Sequence, residues 1–257
     1  MTILAIDTSS AWCSVALFFA DQTYVIKHEL VSNQSSQLVL PWIQDLMTKA
    51  NLNWSNIDAI AVSQGPGAFT GVRLGVGIAQ GIAFSTSKPL IPIASLDSIA
   101  AKQYYLNDPQ WTMAGKAIIA LDARMNEVFW ASYQTFPNAP PKRLGEINLS
   151  APEQIRMNDA HVLTGSAFIE YQSAIFSETN QTNQEFSAPI IQGSENSNAL
   201  GVAFLAYQEW QGLADELKNK SLDLFAPELC QPLYVRDKVA QTTREREQAK
   251  LAKLVPQ

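Results

Sequence analysis

The sequence contains few of the residues that most often perform catalysis or bind metals. Of its 257 residues, only two are cysteine and two are histidine. Two cysteines, Cys13 and Cys230, cannot build a disulfide framework. His28 and His161 lie far apart, and neither has another metal-ligating residue at helical spacing. The composition therefore argues against a disulfide-rich secreted domain and gives no sign of a metal site.

Long apolar runs are also absent. No run of roughly 18 apolar residues occurs, so we expect no transmembrane span. The N-terminus has no basic segment and Asp7 interrupts its short apolar run, so we expect no signal peptide and a cytoplasmic location. Hydrophobic residues make up 47% of the chain and charged residues 16%. This balance is typical of a packed globule with one large domain or two small ones.

The charge is low and unevenly distributed. A formal net charge of −6 argues against a general nucleic-acid binder that works alone. Residues 236–257 form a tail with an excess of basic residues. Such a tail is typical of a solvated helix or a frayed end, and the alternative is a small contact surface for RNA or an acidic partner.

Apolar patterning predicts an α/β protein of two halves and a tail. In the first half, residues 1–107, we predict a mixed five-stranded sheet with helices. Its strands are predicted at 2–7, 12–19, 23–30, 57–62 and 90–93, and its helices end near residues 50, 84 and 105.

The second half, residues 108–235, is predicted to be smaller. Strands are expected at 117–121, 127–133, 161–164 and 232–236, and residues 137–160 are expected to form a loop with a possible short helix. A mobile loop is expected at 177–187. A helix is expected at 198–213, where it could pack back on the first half.

The stretch from Ser63 to Ser85 contains the most unusual helix. Only Arg73 and Gln80 in it are strongly polar, and its glycines form two pairs at a spacing of four, 71/75 and 77/81. Each glycine costs roughly 1 kcal/mol relative to alanine in a helix, but it lets another backbone come close. We predict that this helix packs on its own sheet and on a second helical surface. The alternative is a helix buried wholly inside one domain.

Motifs that carry chemistry are weak. The turn Asp7-Thr8-Ser9-Ser10 after the first strand resembles a phosphate-binding turn, but it could equally cap its own backbone. The loop before Val72 and Arg73 lacks the Lys-Ser or Lys-Thr of a Walker loop, and no nucleophile elbow is present. The cluster of Asp122, Arg124 and Glu127 predicts either a turn with an ion pair or a surface that meets a ligand or partner.

Four segments, in order along the chain, resemble one known family. ILAIDTSS at 3–10, SQGPGAFTGVRLGVGIAQGIA at 63–83, ALDARMNEVFWASY at 120–133 and PLYVRD at 232–237 resemble the TsaB (YeaZ) family. The resemblance implies two tandem actin-like, ribonuclease-H-like halves. It also implies a non-catalytic partner subunit that pairs with and activates TsaD, in the complex that transfers threonylcarbamoyl to adenosine 37 of tRNA.

The resemblance also implies where the partner binds. The expected interface lies on two helices and comprises Ser35, Leu38, Val39, Trp42, Gly71, Arg73, Leu74, Gly75, Ile78 and Gly81. The family often has a histidine where this chain has Ser35. A vestigial nucleotide cleft is expected at Asp7, Thr8, Ser9, Asp122 and Arg124.

For cofactors and partners, the resemblance implies the following. No cofactor is expected to bind this chain alone, because ATP or ADP and a metal belong to partner subunits. The expected partners are TsaD and the ATPase TsaE, with a homodimer when the chain is alone, only indirect contact with tRNA and no membrane. The competing hypothesis is an ATP-binding enzyme that uses the cleft between the halves, while a peptidase is disfavoured by the missing metal ligands.

Overall fold

A computed structural model describes residues 1–32, 34–157, 159–176, 190–192, 196–218 and 220–235. Within these ranges the chain forms two five-stranded sheets. The loop predicted at 177–187 and the charged tail at 236–257 lie outside the described residues.

The first half follows the predicted order of elements. Its elements are β1 (Thr2–Asp7), β2 (Trp12–Phe19), β3 (Tyr24–Leu30), α1 (Ser35–Lys49), β4 (Ala59–Gly65), α2 (Phe69–Thr86), β5 (Leu90–Ala94) and α3 (Ser95–Tyr105). The strand order is β3-β2-β1-β4-β5, with β1 antiparallel to β2 and parallel to β4. Strand β1 reads as one apolar run because both of its faces are covered.

The second half repeats this topology. Its strands are β6 (Gly115–Asp122), β7 (Val128–Phe136), β8 (Ala139–Ser150), β9 (Ala160–Thr164) and β10 (Ile190–Gln192). They are arranged β10-β9-β6-β7-β8, so β6 takes the central place that β1 has in the first sheet. The helices that follow β9 are single turns, α4 (Ala167–Glu170) and α5 (Gln172–Ile175).

Two predicted elements of the second half are wrong. Residues 137–160 were expected to be mainly loop, but β8 takes up 12 of them and pairs with β7. Pro140 and Pro141 favour a loop, yet β8 is an edge strand, where a missing backbone donor is tolerated. The short helix expected in this region is a 3-10 turn at Pro152–Gln154. The strand expected at 232–236 does not form over its described residues, 232–235.

The side chains of β1 alternate between two cores. Leu4 and Ile6 point to α1 and α2 on one face, while Ile3 and Ala5 point to helix α6 (Ala199–Gly212) on the other. Helix α6 begins at Asn198, whose side chain accepts hydrogen bonds from two backbone N–H groups of the first turn. Helices α3 and α6 therefore lie on the inner face of the first sheet, and α1 and α2 form its outer layer.

After α6, the remaining described residues lead back to the surface of α2. Two short helices, α7 (Asp215–Lys218) and α8 (Ser221–Leu224), and a 3-10 turn at Pro227–Leu229 lead to the last described residues. Across the described ranges, the chain contains no helix that combines the length and the apolar character needed to cross a bilayer.

Candidate functional site

A cleft of about 470 Å³ lies between the two halves. The turns that follow β1 and β6, the central strands of the two sheets, both contribute to its walls. The start of α2, residues 233–235, the segment before α6 and residues beside and in α4 also contribute to the lining. Of the residues expected at a vestigial nucleotide cleft, Ser9, Asp122 and Arg124 line this space, whereas Asp7 and Thr8 are buried and do not line it.

Asp7, at the end of β1, is held entirely within the chain. Its Oδ1 accepts hydrogen bonds from the backbone N–H of Ser9 at 2.8 Å and from the Ser9 hydroxyl at 2.7 Å. Its Oδ2 accepts a hydrogen bond from the hydroxyl of Ser197, which comes from the segment before α6. Burial raises the pKa of this carboxyl above its ordinary value. Both carboxyl oxygens are therefore engaged by the protein itself.

The rest of this turn packs against α2. A Cβ on Gly67 would lie 2.2 Å from the carbonyl oxygen of Ser9, and one on Gly71 would lie 2.0 Å from that of Thr8. The Thr8 hydroxyl donates to the Gly71 carbonyl at 2.7 Å. Glycine is needed at these positions because the turn lies directly on the helix. This contact favours a turn that caps its own backbone over one that holds a phosphate.

The residues present do not fit a nucleotide polyphosphate with its metal at this turn. The Ser9 N–H, which could meet an anion, already donates to Asp7. The Asp7 carboxyl, which could face a hydrated metal, is held by Ser9 and Ser197. In addition, the part of the chain that the structure describes contains no group of three His, Cys, Asp or Glu residues placed to hold a metal ion.

Asp122 stabilises the opposite turn, after β6. Its Oδ1 accepts hydrogen bonds from the Arg124 backbone N–H at 2.7 Å and from the Tyr171 hydroxyl at 2.8 Å, and its Oδ2 lies 3.2 Å from the Arg124 guanidinium. Arg124, Met125 and Asn126 all have φ near +60°, a left-handed conformation that costs non-glycine residues energy. Burial and the Asp122 hydrogen bond raise the pKa of Tyr171 to about 12. The predicted ion-paired turn is therefore present and faces the cleft.

The residues expected at the partner interface occupy different depths. On α1, Ser35 and Trp42 are almost fully buried, Val39 is 0% exposed, and Leu38 is half-buried. Val39 belongs to the core between α1 and the sheet. Leu38 and Leu40, which is 54% exposed, are the leucines of α1 that reach its surface.

The two glycine pairs of α2 point in different directions. Gly75 is buried, and a Cβ there would lie 2.6 Å from Thr8 Oγ1, whereas Gly77 and Gly81 have no atom within 4 Å of such a Cβ. The pair 71/75 thus serves the packing of the chain on itself. The pair 77/81 lies on the outer face of α2.

This outer face of α2 is apolar. Leu74 and Ile78 are half-buried, and Phe84 is 79% exposed. We call Leu40, Leu74, Gly77, Ile78, Gly81 and Phe84 the outer face of α1 and α2. Leu40, Gly77 and Phe84 are not among the residues that the resemblance implied. The helical period of the apolar positions could have indicated Phe84, since it lies on the same side as Gly77 and Gly81.

Arg73 is exposed but has partners within the chain. Its Nε donates to the hydroxyl of Tyr234 at 2.8 Å, and its guanidinium carbon lies 3.7 Å from the centroid of the Phe69 ring. This residue, expected at the partner interface, therefore connects α2 to the C-terminal segment.

Two α/β halves with the same strand order, joined around a cleft, define a protein of the actin-like class. Residues 22–249 match the family model described as "TsaD: tRNA N6-adenosine threonylcarbamoyltransferase". The "tRNA threonylcarbamoyladenosine biosynthesis protein TsaB" of Haemophilus influenzae is 32% identical over 252 residues, which covers 93% of this chain and 95% of that protein. The Escherichia coli protein of the same name is 42% identical over 138 residues, which covers 54% of this chain and 57% of that protein.

Solved structures agree. One Pseudomonas aeruginosa structure, described as similar to peptidase YEAZ, has a TM-score of 0.74 at 28% identity and covers 91% of this chain and 99% of that one. The structure called YeaZ from Pseudomonas aeruginosa has a TM-score of 0.69 at 29% identity, with 82% and 94% covered. The chain belongs to the TsaB (YeaZ) family.

Proposed function

We propose that this protein is a non-catalytic partner subunit in the biosynthesis of threonylcarbamoyladenosine in tRNA, and that it pairs with TsaD and activates it. The observation that carries the proposal is the outward glycine pair of α2, Gly77 and Gly81. Nothing in the described part of the chain approaches either position.

The energetic argument is that no close contact within the described residues requires a glycine at these two positions. Each costs the helix roughly 1 kcal/mol relative to alanine. Gly71 and Gly75 offset that cost through their contacts with Thr8, but Gly77 and Gly81 make no such contact. Close approach of a helix from another protein would account for them. The exposed side chains of Phe84 on the same helix and of Leu40 on α1 supply apolar area for such a contact.

The cleft supports the non-catalytic part of the proposal. The Asp7 carboxyl is hydrogen-bonded to Ser9 and Ser197. The Asp122 carboxyl accepts a hydrogen bond from the Arg124 backbone N–H and forms an ion pair with the Arg124 side chain. We therefore assign ATP or ADP and the metal to partner subunits, with TsaE as the ATPase. Contact with tRNA would occur through the complex, and the outer face of α1 and α2 would form a homodimer when the chain is alone. The alternative, an ATP-binding enzyme that acts alone, gains no support from this geometry.

The test is association with TsaD of the same organism, followed by light scattering on separated species. Gly81→Leu should leave the fold intact and abolish the complex, because leucine projects from the outer face. Gly212→Leu is the matched control, since Gly212 ends α6 with the same open space around it. A Gly81→Leu variant that binds TsaD as the wild type does would overturn the proposed surface.

A further inference from the structure

The polar side chains of α2 hold one segment of the chain. The Gln80 amide donates to the carbonyl oxygens of Pro227 at 3.0 Å and Cys230 at 2.9 Å. Arg73, two turns earlier, donates to the Tyr234 hydroxyl. We call residues 227–235 the C-terminal strap. The two strongly polar residues of an otherwise apolar helix thus act on the same nine-residue segment.

The strap contacts both halves of the molecule. Cys230, which is 2% exposed, belongs to the core between α1, α2 and the first sheet. Leu233 and Val235 pack against the core that α3 shares with the second sheet. The strap therefore crosses the boundary between the halves on the side of α2.

The strap also separates two cavities. Leu233, Tyr234 and Val235 line the cleft of about 470 Å³ described above. The same three residues line a neighbouring cavity of about 430 Å³ that contains Asp97, Arg143 and Glu209. One short piece of chain is thus a common wall of both spaces.

The end of the strap is attached by few backbone bonds. Residues 231–235 form neither helix nor strand. Among the described residues, their backbone makes one hydrogen bond to the backbone of the rest of the chain, from the Leu233 N–H to the Gln64 carbonyl at 2.7 Å. Tyr234 is 51% exposed. Segments with few buried contacts and few backbone bonds open at much lower free energy than the core.

We propose that the C-terminal strap is a lid over the cleft between the halves, and that Gln80 and Arg73 of α2 are its latch. When the strap lifts, the two cavities join and the cleft becomes accessible from the side of α2. The proposal concerns the isolated chain and does not depend on its pairing with TsaD.

The two cysteines of the chain provide a native test. Cys230 lies in the strap and Cys13 lies in the core of β2, and both are free and buried. The rate at which each thiol of the full-length protein reacts with iodoacetamide can be followed by peptide mass spectrometry. Lifting of the strap exposes Cys230 alone, whereas global unfolding exposes both. We expect Cys230 to react faster than Cys13 under native conditions.

Variants of the latch make the test specific. Tyr234→Phe removes one hydrogen bond and should speed labelling of Cys230 by ~5-fold. Gln80→Met keeps the side-chain volume, removes two hydrogen bonds and should speed it by ~10-fold or more. Labelling of Cys13 should not change in either variant. Tyr207→Phe is the control, because it removes a tyrosine hydrogen bond to Ala20 at another place.

A second readout distinguishes a lid from fraying of the chain end. The rate of exchange of the Leu233 amide hydrogen should rise together with the rate of Cys230 labelling. The dye 8-anilinonaphthalene-1-sulfonate should bind to Gln80→Met more than to the wild type. Equal labelling rates for Cys230 and Cys13 in all proteins would overturn the proposal. So would faster Cys230 labelling in Gln80→Met without any gain in dye binding.

Discussion

Gly75 of α2 lies against Thr8 of the turn after β1, so closely that a Cβ on Gly75 would come within 2.6 Å of Thr8 Oγ1. This contact means that Gly75 is required by the fold of the single chain. Gly75 and Gly81 are both expected at the partner interface, but they are not equivalent, because Gly75 packs against Thr8 and Gly81 has open space around it.

The two glycine pairs should therefore respond oppositely to alanine. Gly75→Ala should destabilise the protein by about 1–3 kcal/mol, because the added methyl group is forced against Thr8. Gly77→Ala should stabilise it by up to ~1 kcal/mol, because the position is open and alanine favours the helix. Urea unfolding of both variants measures this difference. Equal effects of the two substitutions would contradict the assignment of the two faces.

The outer face of α1 and α2 should control self-association. Phe84→Glu places a charge on that face and should shift the isolated protein from homodimer to monomer at micromolar concentration. Leu106→Glu is the matched control, since Leu106 is an exposed apolar residue at the end of α3. Analytical ultracentrifugation measures both variants. Dimerisation that survives in Phe84→Glu, or that is lost equally in Leu106→Glu, would argue for another surface.

The cavity beside the strap should make stability depend on pH. Burial and the neighbouring charge of Asp97 raise the pKa of Glu209 to about 7, although part of the residue is exposed. The folded state therefore retains a proton that the unfolded state has lost above roughly pH 4.5. The contribution of Glu209 to the free energy of unfolding is thus complete below that pH and declines as the pH rises to about 7.

Glu209→Gln tests this dependence. The variant and the wild type should be similarly stable near pH 4, and the variant should be the more stable of the two above pH 7. Chemical denaturation across this range provides the measurement, and Glu228→Gln, an exposed residue outside the cavity, is the control. If the difference in the free energy of unfolding between the wild type and Glu209→Gln did not change with pH, this account would be ruled out.

The turn after β1 should not bind nucleotide. Calorimetry of the isolated protein with millimolar ATP and magnesium should detect no heat of binding, because Ser9 and Ser197 already hold the Asp7 carboxyl. Measurable binding that is lost in Asp122→Asn would instead support the ATP-binding enzyme that acts alone.

The sequence was sufficient for the first half of the fold, because its strands are short apolar runs that end at turn residues, and the apolar residues of α1 repeat at three and four. Strand β8 could not be predicted, since Pro140 and Pro141 are tolerated only because that strand lies at an edge. The strand predicted at 232–236 is wrong for a different reason. Leu233 and Val235 alternate as they would in a strand, but they pack against the core that α3 shares with the second sheet, and residues 232–235 pair with no strand.

The candidate site was only partly predictable. The spacing of the glycines places the two pairs on different sides of α2, since six residues correspond to about 240° around a helix. Spacing does not show which side meets the rest of the chain. The contact between Asp7 and Ser197 joins residues far apart in sequence, and no local pattern indicates it.

The repeated strand order has a consequence for Asp7 and Asp122. Asp7 ends β1 and Asp122 ends β6, so the two residues occupy corresponding positions in the two halves. Each of them accepts a hydrogen bond from a backbone N–H two residues later in its own turn. The two turns thus use the same hydrogen bond at the same place in each half, and they differ in the side chain that completes it, a serine for Asp7 and a tyrosine for Asp122.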